Sequence, residues 1–385
     1  MAACRSAYLS HLRPFTYLLD PSRSHSSRHV PTARRATVHP TPTPTPPPLP
    51  LNLPLPLPVY RAAIALDEPF RPDAGHDTDD RAADLVREAL GLLGDDPTAM
   101  RAGLRPGAAD RLDDAAARRL LRAVLTVRQP APLPTRAARV LDALLTGERL
   151  ARDTTDAASL PTVRDTLPHA AYRAADRTVL WQGDLTTLGA DAVVNAANSA
   201  LLGCFRPMHR CIDNALHAAA GPRLRDDCHA IMSLQGHPEP TGTAKITRGY
   251  HLPARYVLHT VGPIVDGPVL PQHQQALAAS YRACLDLAAE VGNIRGVAFC
   301  GISTGVFGYP KTPAARIALD TVAEWLDLHP ERLDRVIFNV YADDDLAAYV
   351  QALTEGTQPR CPSPASTWKP PPKRYAHGST RPSAS

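Results

Sequence analysis

Apolar residues recur every three or four positions between residues 61 and 150, which is the spacing of amphipathic helices. This pattern predicts three helices, at residues 79–93, 109–128 and 135–150. Glycine and proline residues after them supply the breaks. Since this region carries no cluster of histidine, cysteine and acidic residues, we predict that it packs against the next domain and takes no part in catalysis.

From about residue 170 the pattern changes to short β-branched runs that alternate with helical segments, which is typical of βαβ units. The predicted strands are residues 178–182, 192–196, 244–247, 256–260, 296–300 and 335–340. The predicted helices are residues 212–234, 273–291, 313–328 and 344–353. Thr312 is the predicted cap of the third of these helices, with Pro313 in its first turn. We therefore expect an α/β domain whose central sheet is covered by helices on both faces.

Proline-rich tracts occupy both ends of the chain. The sequence has 40 prolines in 385 residues, and they are concentrated in the first 60 and the last 30 positions. Such tracts favour extended polyproline and cannot build a packed core. The predicted organisation is a disordered leader at 1–60, a helical N-terminal extension at 61–170, the α/β domain at 171–355 and a disordered basic tail at 356–385.

The beginning of the chain has a second interpretation. Its first 40 residues are rich in arginine and serine and poor in acids, so they also resemble an organelle transit peptide. We prefer the interpretation as a disordered leader or an over-long start.

The net charge of +4 is unevenly distributed. Residues 1–40 and 356–385 each carry +5, so residues 41–355 carry −6. An acidic core argues against nucleic-acid binding, because phosphate backbones need a cationic surface. A phosphate-bearing ligand would therefore be held by backbone N–H groups.

The seven cysteines are an odd number and lack the spacing of a disulfide framework, which predicts a reducing compartment, the cytoplasm. No apolar run reaches the roughly 18 residues that span a bilayer, so we expect no membrane partner. The first 20 residues also lack a continuous apolar segment followed by a cleavage site.

Cys204, His209 and Cys211 form a C-x4-H-x-C cluster directly before a predicted helix. Two thiolates and one imidazole suit a tetrahedral zinc ion, and three protein ligands leave one position for water or substrate. Cys228 or His217 could instead supply a fourth ligand and close the site. The alternative is that the cysteines are small buried hydrophobic residues and the histidine an ordinary loop residue. The spacing favours zinc.

Polar residues follow two predicted strands. Asp184 comes after the strand at 178–182, where an aspartate can accept hydrogen bonds from a base or ribose, or merely cap a turn. Asn195 and Asn198, in the sequence NAAN, lie at the end of the strand at 192–196. Carboxamides there can bond to sugar hydroxyls, but asparagine is also common in turns. Each pattern alone is ambiguous.

A glycine-rich loop, GISTGVFGYP at residues 301–310, lies between a predicted buried strand and the helix that begins near Pro313. Glycines allow backbone angles that turn N–H groups toward an anion, and the helix N-terminus adds favourable partial charge. The loop lacks the P-loop pattern, which argues against a P-loop NTPase. It could hold a diphosphate without a cation, or it is a plain glycine turn.

Asp213 and His217 lie one helical turn apart and therefore on the same face of the predicted helix. Asp213 is a candidate for positioning or deprotonating a water, or for bonding a ribose hydroxyl. His217 is better interpreted as a core histidine bonded to a carbonyl.

Taken in order, these motifs resemble the macrodomain family, whose members bind ADP-ribose. The matching stretches are GD at 183–184, NAAN at 195–198, TGTAKITRGYHLPARYVLHTVGP at 241–263 and GISTGVFGYP at 301–310. Two further stretches are similar to the zinc-containing branch of protein-ADP-ribose hydrolases: GCFRPMHRCIDNALHAAAG at 203–221 and LTVRQPAPLP at 125–134. The resemblance covers about residues 175–353 and implies a three-layer α/β/α sandwich with a mixed central sheet.

The resemblance also implies roles for individual residues. The residues that would bind the substrate follow the ends of strands. They are Asp184, Leu185, Asn198, Ser303, Thr304, Gly305, Val306 and Phe307. Asp213 and Asn195 would be the catalytic residues. A zinc ion would be bound by Cys204, His209 and Cys211. Asp184 would hold the adenine amino group, the loop at 303–307 the diphosphate and distal ribose, and both asparagines would line that ribose. GVFGYP is closer to the loop of zinc-free hydrolases, so contacts near Val306 and Tyr309 stay open.

The function that the resemblance implies is removal of mono-ADP-ribose from acidic protein side chains, by a zinc-dependent hydrolase that cleaves the ester at the distal ribose. The expected partners are an ADP-ribosylated protein and ADP-ribose. Two alternatives use the same pocket. One is a non-catalytic reader of ADP-ribose in which zinc only fastens the loop, and the other is a deacetylase of O-acetyl-ADP-ribose.

Overall fold

A six-stranded mixed sheet is the central element of the structure. The computed structural model describes residues 53–72, 81–105, 107 and 109–355. Within them the strands, numbered in chain order, are Thr155–Asp156 (β1), Thr178–Gln182 (β2), Leu188–Gly189 (β3), Ala192–Ala196 (β4), Ala244–Arg248 (β5), Tyr256–Thr260 (β6), Gly296–Phe299 (β7) and Arg335–Val340 (β8). The order in the large sheet is β2-β8-β7-β4-β6-β5, parallel throughout except between β5 and β6. β1 and β3 form a separate parallel pair.

The helices of the described residues are numbered in the same way. They are Leu57–Tyr60 (α1), Ala82–Leu92 (α2), Asp114–Val127 (α3), Thr135–Leu150 (α4), Val163–Thr166 (α5), Ile212–Ala220 (α6), Pro222–Gln235 (α7), Pro271–Val291 (α8), Lys311–Leu328 (α9) and Asp343–Thr354 (α10). None of these helices combines the length and the hydropathy that a membrane span needs. All six strands predicted from the sequence are present, two of them with one end shifted by one residue.

Alternate residues of the sheet point into two separate apolar cores, as the pleat of a strand requires. On one face Val194 and Leu258 pack with side chains of α8, α9 and α10. On the other face Val193 and Val257 pack with side chains of α6 and α7. Helices therefore cover both faces, and the predicted three-layer α/β/α sandwich is confirmed.

The N-terminal extension has an apolar core of its own, formed by α2, α3 and α4. α2 and α4 match predicted helices, with positions 79 and 80 outside the described residues. The helix predicted at 109–128 is wrong at its start, because α3 begins only at Asp114. The Asp113 side chain accepts a hydrogen bond from the N–H of Ala116 at 2.7 Å and caps the helix there.

The single helix predicted at residues 212–234 is wrong, since the structure has two helices, α6 and α7. Gly221 between them has a φ of +88°, which L side chains rarely adopt. Pro222 cannot donate a helical hydrogen bond and instead occupies the first turn of α7, where the missing N–H costs nothing. Gly221 also lies against the extension, because a Cβ there would be 2.7 Å from Leu145 Cδ1.

The predicted cap at Thr312 is also wrong. α9 begins at Lys311, so Thr312 lies inside the first turn, and Pro310 precedes the helix without a side-chain cap. Thr312 Oγ1 donates instead to Gln351 Oε1 of α10 at 3.1 Å.

The predicted end of the disordered leader, at residue 60, is wrong for residues 53–60. Tyr60 is completely buried, and its hydroxyl accepts a hydrogen bond from the N–H of Ile246 in β5 at 3.1 Å. This segment is therefore part of the folded domain. The predictions for residues 1–52 and 356–385 lie outside the described residues.

Gly221→Ala is expected to destabilise the fold by about 2–5 kcal/mol, the sum of backbone strain and overpacking against Leu145. Gly236 offers a matched control, since its φ is +74° and the space around a Cβ there is open. Gly236→Ala should therefore cost about 1–2 kcal/mol. Urea unfolding of both variants measures the difference. Equal losses would mean that the contact with the extension contributes nothing.

Candidate active site

The carboxyl ends of three strands bring the predicted site residues to one edge of the sheet. β4 contains Asn195 and leads to Asn198, β7 leads into the glycine-rich loop at 301–310, and β2 leads to Asp184. Ligands commonly bind at this edge in open α/β sheets. β2 lies three positions from β4 in the strand order, which separates Asp184 from the asparagines by about 14 Å at ordinary strand spacing.

Cys204, His209 and Cys211 come together in the segment before α6, which we call the Cys/His loop (residues 201–211). Their ligand atoms all lie within 4.8 Å of one another, and Cys204 Sγ lies 3.4 Å from His209 Nδ1. Sulfur and nitrogen ligands of a tetrahedral zinc ion are about 3.5 Å apart. The predicted cluster is therefore formed, and its donor set and spacing fit zinc.

The first turn of α6 fixes the shape of the Cys/His loop. The Asn214 side-chain amide donates to the Arg206 carbonyl at 2.8 Å, and the Asn214 N–H donates to Cys211 Sγ at 3.4 Å. At the other end of the loop, a Cβ at Gly203 would lie 3.0 Å from the ring of His217. Glycine at this position therefore lets the loop pack directly on the helix.

The two thiols of the loop share a proton. The hydrogen bond from Cys211 lowers the pKa of Cys204, and the same bond raises the pKa of Cys211. This bond therefore favours the thiolate form of Cys204, which is the form that binds a metal.

Asp213 lies in the first turn of α6 and is only 5% exposed. Asn195 Nδ2 donates to its Oδ1 at 2.8 Å, and Asn198 Nδ2 donates to its Oδ2 at 3.4 Å. Burial raises the pKa of Asp213 to about 7, and the hydrogen bond from Asn195 opposes that shift. The site thus holds a carboxyl group that can take or give a proton near neutral pH.

A buried histidine that the sequence analysis did not select determines the orientation of Asn195. His259 on β6 is the register partner of Asn195 on β4. The one hydroxyl hydrogen of Thr247 is donated to the Arg248 carbonyl at 3.2 Å. Thr247 Oγ1 is therefore the acceptor in its 3.0 Å hydrogen bond with His259 Nε2. His259 Nδ1 is then an acceptor, and Asn195 Nδ2 donates to it at 3.1 Å. Asn195 therefore presents its NH2 group, and not its oxygen, to Asp213.

His259 is a lone histidine in an apolar strand, and such a residue is ordinarily a core histidine, so no sequence pattern indicates this role. Burial lowers the pKa of His259 to about 3, which keeps the ring neutral, as these hydrogen bonds require. Asn195 is itself fully buried. Its amide donates to Asp213, and its place beside the ribose stays a prediction.

Among the described residues, His217 and Cys228 do not join the ligands of the Cys/His loop. They group with His259 in a second, buried set whose ligand atoms lie within 4.8 Å of one another. Because both ring nitrogens of His259 already have partners, we interpret this set as a polar network and not as a metal site. The carbonyl partner predicted for His217 is not found in the described part of the chain. Its Nε2 lies 3.5 Å from Asp213 Oδ1 instead.

The glycine-rich loop after β7 is shaped by close backbone contacts. Ser303 has a φ of +65°, and its carbonyl accepts from the N–H of Tyr309 at 3.0 Å. A Cβ at Gly262 would lie 2.1 Å from Ser303 Oγ, so only glycine fits beside this turn. Within the described chain, the N–H groups of residues 304–307 donate to no backbone carbonyl. They are therefore available to an anion.

The side chains of this loop take different positions. Val306 is 52% exposed, whereas Phe307 packs against a small apolar cluster that includes Leu201 of the Cys/His loop. Thr304 Oγ1 donates to the Gly301 carbonyl at 3.3 Å and closes the turn. Phe307 and Leu201 thus place the glycine-rich loop and the Cys/His loop in one apolar cluster.

Asp184 caps a turn, which is one of the two roles predicted for it from the sequence. Its Oδ1 accepts from the N–H and the hydroxyl of Thr186 at 2.9 and 2.7 Å, and its Oδ2 accepts from Arg152 at 2.8 Å. A carboxylate has about four acceptor positions, so one remains for a ligand. The side chain of Leu185 is buried in the core, so this residue offers only backbone atoms to a ligand.

A crevice lies beside Cys204, between α3 of the extension and α6. Arg122 and Arg225 also line it, whereas Asp184 and the glycine-rich loop do not. The crevice is therefore lined by one predicted metal ligand, Cys204, and by none of the predicted substrate-binding residues.

The combination of sheet, asparagines and glycine-rich loop occurs in known proteins. Residues 194–318 match the model of the Macro domain family. The protein-ADP-ribose hydrolase of Staphylococcus aureus (strain MSSA476) is 48% identical over 184 residues, which are 48% of this chain and 68% of that protein. The chain belongs to the macro domain family.

Further relatives of this macro domain carry similar names. The protein-ADP-ribose hydrolase of Treponema medium is 50% identical over 175 residues, which are 46% of this chain and 66% of that protein. The ADP-ribose glycohydrolase MACROD2 of Xenopus laevis is 45% identical over 180 residues, 47% of this chain and 40% of that one. The chain thus spans about two thirds of the bacterial relatives. The Trypanosoma brucei macrodomain crystallised with ADP-ribose is 32% identical, with a TM-score of 0.45 over 60% of this chain and 94% of that one.

Cys204→Ser and Cys211→Ser are each expected to remove bound zinc from the macro domain, because a serine hydroxyl replaces a thiolate ligand. Cys284→Ser is the control, since Cys284 is a free cysteine on the buried face of α8. Elemental analysis should find about one zinc per chain in the unmodified protein and the control. Zinc retained in both loop variants, or absent from the unmodified protein, would contradict the assignment.

Proposed function

We propose that this macro domain is a zinc-dependent hydrolase that removes mono-ADP-ribose from acidic side chains of proteins. The observation that carries the proposal is the position of Asp213, a buried carboxyl group directly after a three-ligand Cys/His cluster. Both features lie at the strand-end edge of the sheet, where ligands bind. The two bacterial relatives named protein-ADP-ribose hydrolase support this reaction class.

ADP-ribose is proposed to lie along the strand ends, with its adenine at β2 and its distal ribose at β4. Asp184 has one acceptor position left for the adenine amino group. The N–H groups of residues 304–307 would hold the diphosphate, in keeping with the net negative charge of residues 41–355. The separation of about 14 Å between the two ends requires a long ligand, such as a nucleotide joined to a second sugar.

Zinc bound to Cys204, His209 and Cys211 would supply Lewis acidity and one open coordination position at the distal ribose. Asp213 takes a proton from the attacking water and returns it to the leaving group. Hydrolysis adds the OH of water to one side of the ester bond and its H to the other. The products are a free carboxyl side chain and ADP-ribose.

The asparagines act on Asp213. Asn195 and Asn198 each donate an N–H to one of its two oxygens, which fixes the plane of the carboxyl group. Asn195 has no exposed surface, so we assign it to positioning Asp213 and not to contact with the substrate. Asn198 is half-buried and is the asparagine that can reach the ribose.

The chemistry requires reduced thiols at Cys204 and Cys211. Both are free cysteines in the structure. We therefore propose the cytoplasm as the working compartment, since thiols stay reduced there.

Asp213→Asn is expected to slow release of ADP-ribose from a modified protein by about 100-fold or more, because the general base is lost while the shape is kept. Zinc content and ADP-ribose affinity should stay close to those of the unmodified protein. Asp227→Asn is the matched control, since Asp227 is another buried carboxylate, on α7. Release is measured on an automodified acceptor, and full activity in Asp213→Asn would contradict the proposal.

Assays on the same protein preparation distinguish the hydrolase from the two alternative functions. A reader would show tight ADP-ribose binding in calorimetry and no release from any modified acceptor. A deacetylase would release acetate from O-acetyl-ADP-ribose and leave the acceptor protein modified. The hydrolase releases ADP-ribose from the acceptor.

A further inference from the structure

Arg225 on α7 connects the N-terminal extension to the Cys/His loop. It is only 6% exposed. Its Nε donates to the carbonyl of Leu202 at 2.8 Å, and its Nη1 donates to the carbonyls of Leu125 and Arg128 at 2.9 and 2.7 Å. Its guanidinium carbon also lies 4.6 Å from the ring centroid of Phe205. One buried cation thus holds two segments that are about 75 residues apart in sequence.

The acceptors from the extension lie where α3 ends. Carbonyls at the end of a helix lack intrahelical partners and carry partial negative charge, so they favour a cation. Leu125 lies in the last turn of α3, and Arg128 follows that helix directly. The extension therefore supplies the negative environment that a buried guanidinium requires.

The segment after α3 is held in place by a second buried arginine. Arg128 is 5% exposed, its Nε lies 3.1 Å from Asp96 Oδ2, and its Nη2 donates to the Ala131 carbonyl at 2.8 Å. These bonds fix the position of the Arg128 carbonyl, which accepts from Arg225. The stretch LTVRQPAPLP at 125–134 is thus shaped to present carbonyls to α7.

On the side of the Cys/His loop, the two contacts of Arg225 flank Cys204. Leu202 precedes this cysteine by two positions and Phe205 follows it directly. Cys204 is 5% exposed and lines the crevice next to Arg225. A displacement of Arg225 would therefore disturb the loop on both sides of Cys204, at the Leu202 carbonyl and at the Phe205 ring.

We propose that the extension serves as a fixed support for the Cys/His loop, and that Arg225 is the positioning residue that transmits this support to Cys204. The expected effect on zinc binding rests on the proposed function. The support of the Cys/His loop by the extension is expected in the metal-free chain as well, because all the contacts of Arg225 are with protein groups.

The chain offers a matched control two positions away. Arg223 also joins α7 to the extension, since its Nη2 lies 2.7 Å from Asp142 Oδ2 of α4. Its recorded contacts among the described residues are with Asp142 and the ring of Phe70, not with the Cys/His loop. Arg223→Met thus weakens docking of the extension without touching the loop, whereas Arg225→Met affects both.

The experiment uses the full chain and two readouts. In protein stripped of metal by a chelator, the rate of Cys204 alkylation by iodoacetamide is followed by peptide mass spectrometry. In protein loaded with Zn²⁺, affinity is measured by competition with a chromogenic chelator. Arg225→Met is expected to speed alkylation and weaken zinc binding, each by about 10- to 100-fold relative to Arg223→Met. Arg225→Lys keeps the charge and should lie between the two.

Equal values for Arg225→Met and Arg223→Met in the alkylation readout would overturn the proposal. Should Arg225→Met fail to fold, Phe205→Leu removes only the ring contact and is expected to change both readouts in the same direction by a smaller factor. No change in that variant would overturn the proposal. If the unmodified protein binds no zinc, the alkylation readout still decides the role of Arg225, and the hydrolase proposal fails separately.

Discussion

The hydrogen bond from Asn195 Nδ2 to Asp213 Oδ1, at 2.8 Å, joins the central sheet to the helix that follows the Cys/His loop. Both groups are buried, so neither can replace this bond with one to water. An unsatisfied buried group of this kind costs about 1–3 kcal/mol or more. The register of β4 on β6 and the start of α6 are therefore fixed together, and the carboxyl group lies beside the Cys/His cluster as a consequence.

Two further contacts position the same site from opposite sides. His259 lies behind Asn195 and sets the direction of its amide, because the hydroxyl of Thr247 leaves only one tautomer of the ring compatible with all the bonds. Phe307 of the glycine-rich loop packs on a cluster that contains Leu201, so the glycine-rich loop and the Cys/His loop contribute to one apolar cluster. The binding edge is thus held by buried groups, while its ligand-facing side consists of backbone N–H groups and partly exposed side chains.

Much of the fold could be predicted because its signals are local. Apolar periodicity reports which face of a strand or helix is buried, and it located all six strands of the large sheet. The three predicted metal ligands lie within eight residues, so their spacing alone indicated a shared site. His259 and Arg225 could not be selected in this way, because their roles depend on partners far away in sequence. The acceptors of Arg225 are backbone carbonyls, which leave no mark on a sequence. Tyr60 was missed for a similar reason, since its partner is the backbone of β5.

The central claim is that two sulfurs and one imidazole hold a zinc ion that keeps one position open toward the sugar. X-ray absorption at the zinc edge of the purified protein tests this most directly. We expect two sulfur neighbours at about 2.3 Å, one imidazole nitrogen, and one light atom from water whose signal changes when ADP-ribose is added. A fourth protein ligand, such as a third sulfur, or a spectrum unaffected by ADP-ribose would contradict the account.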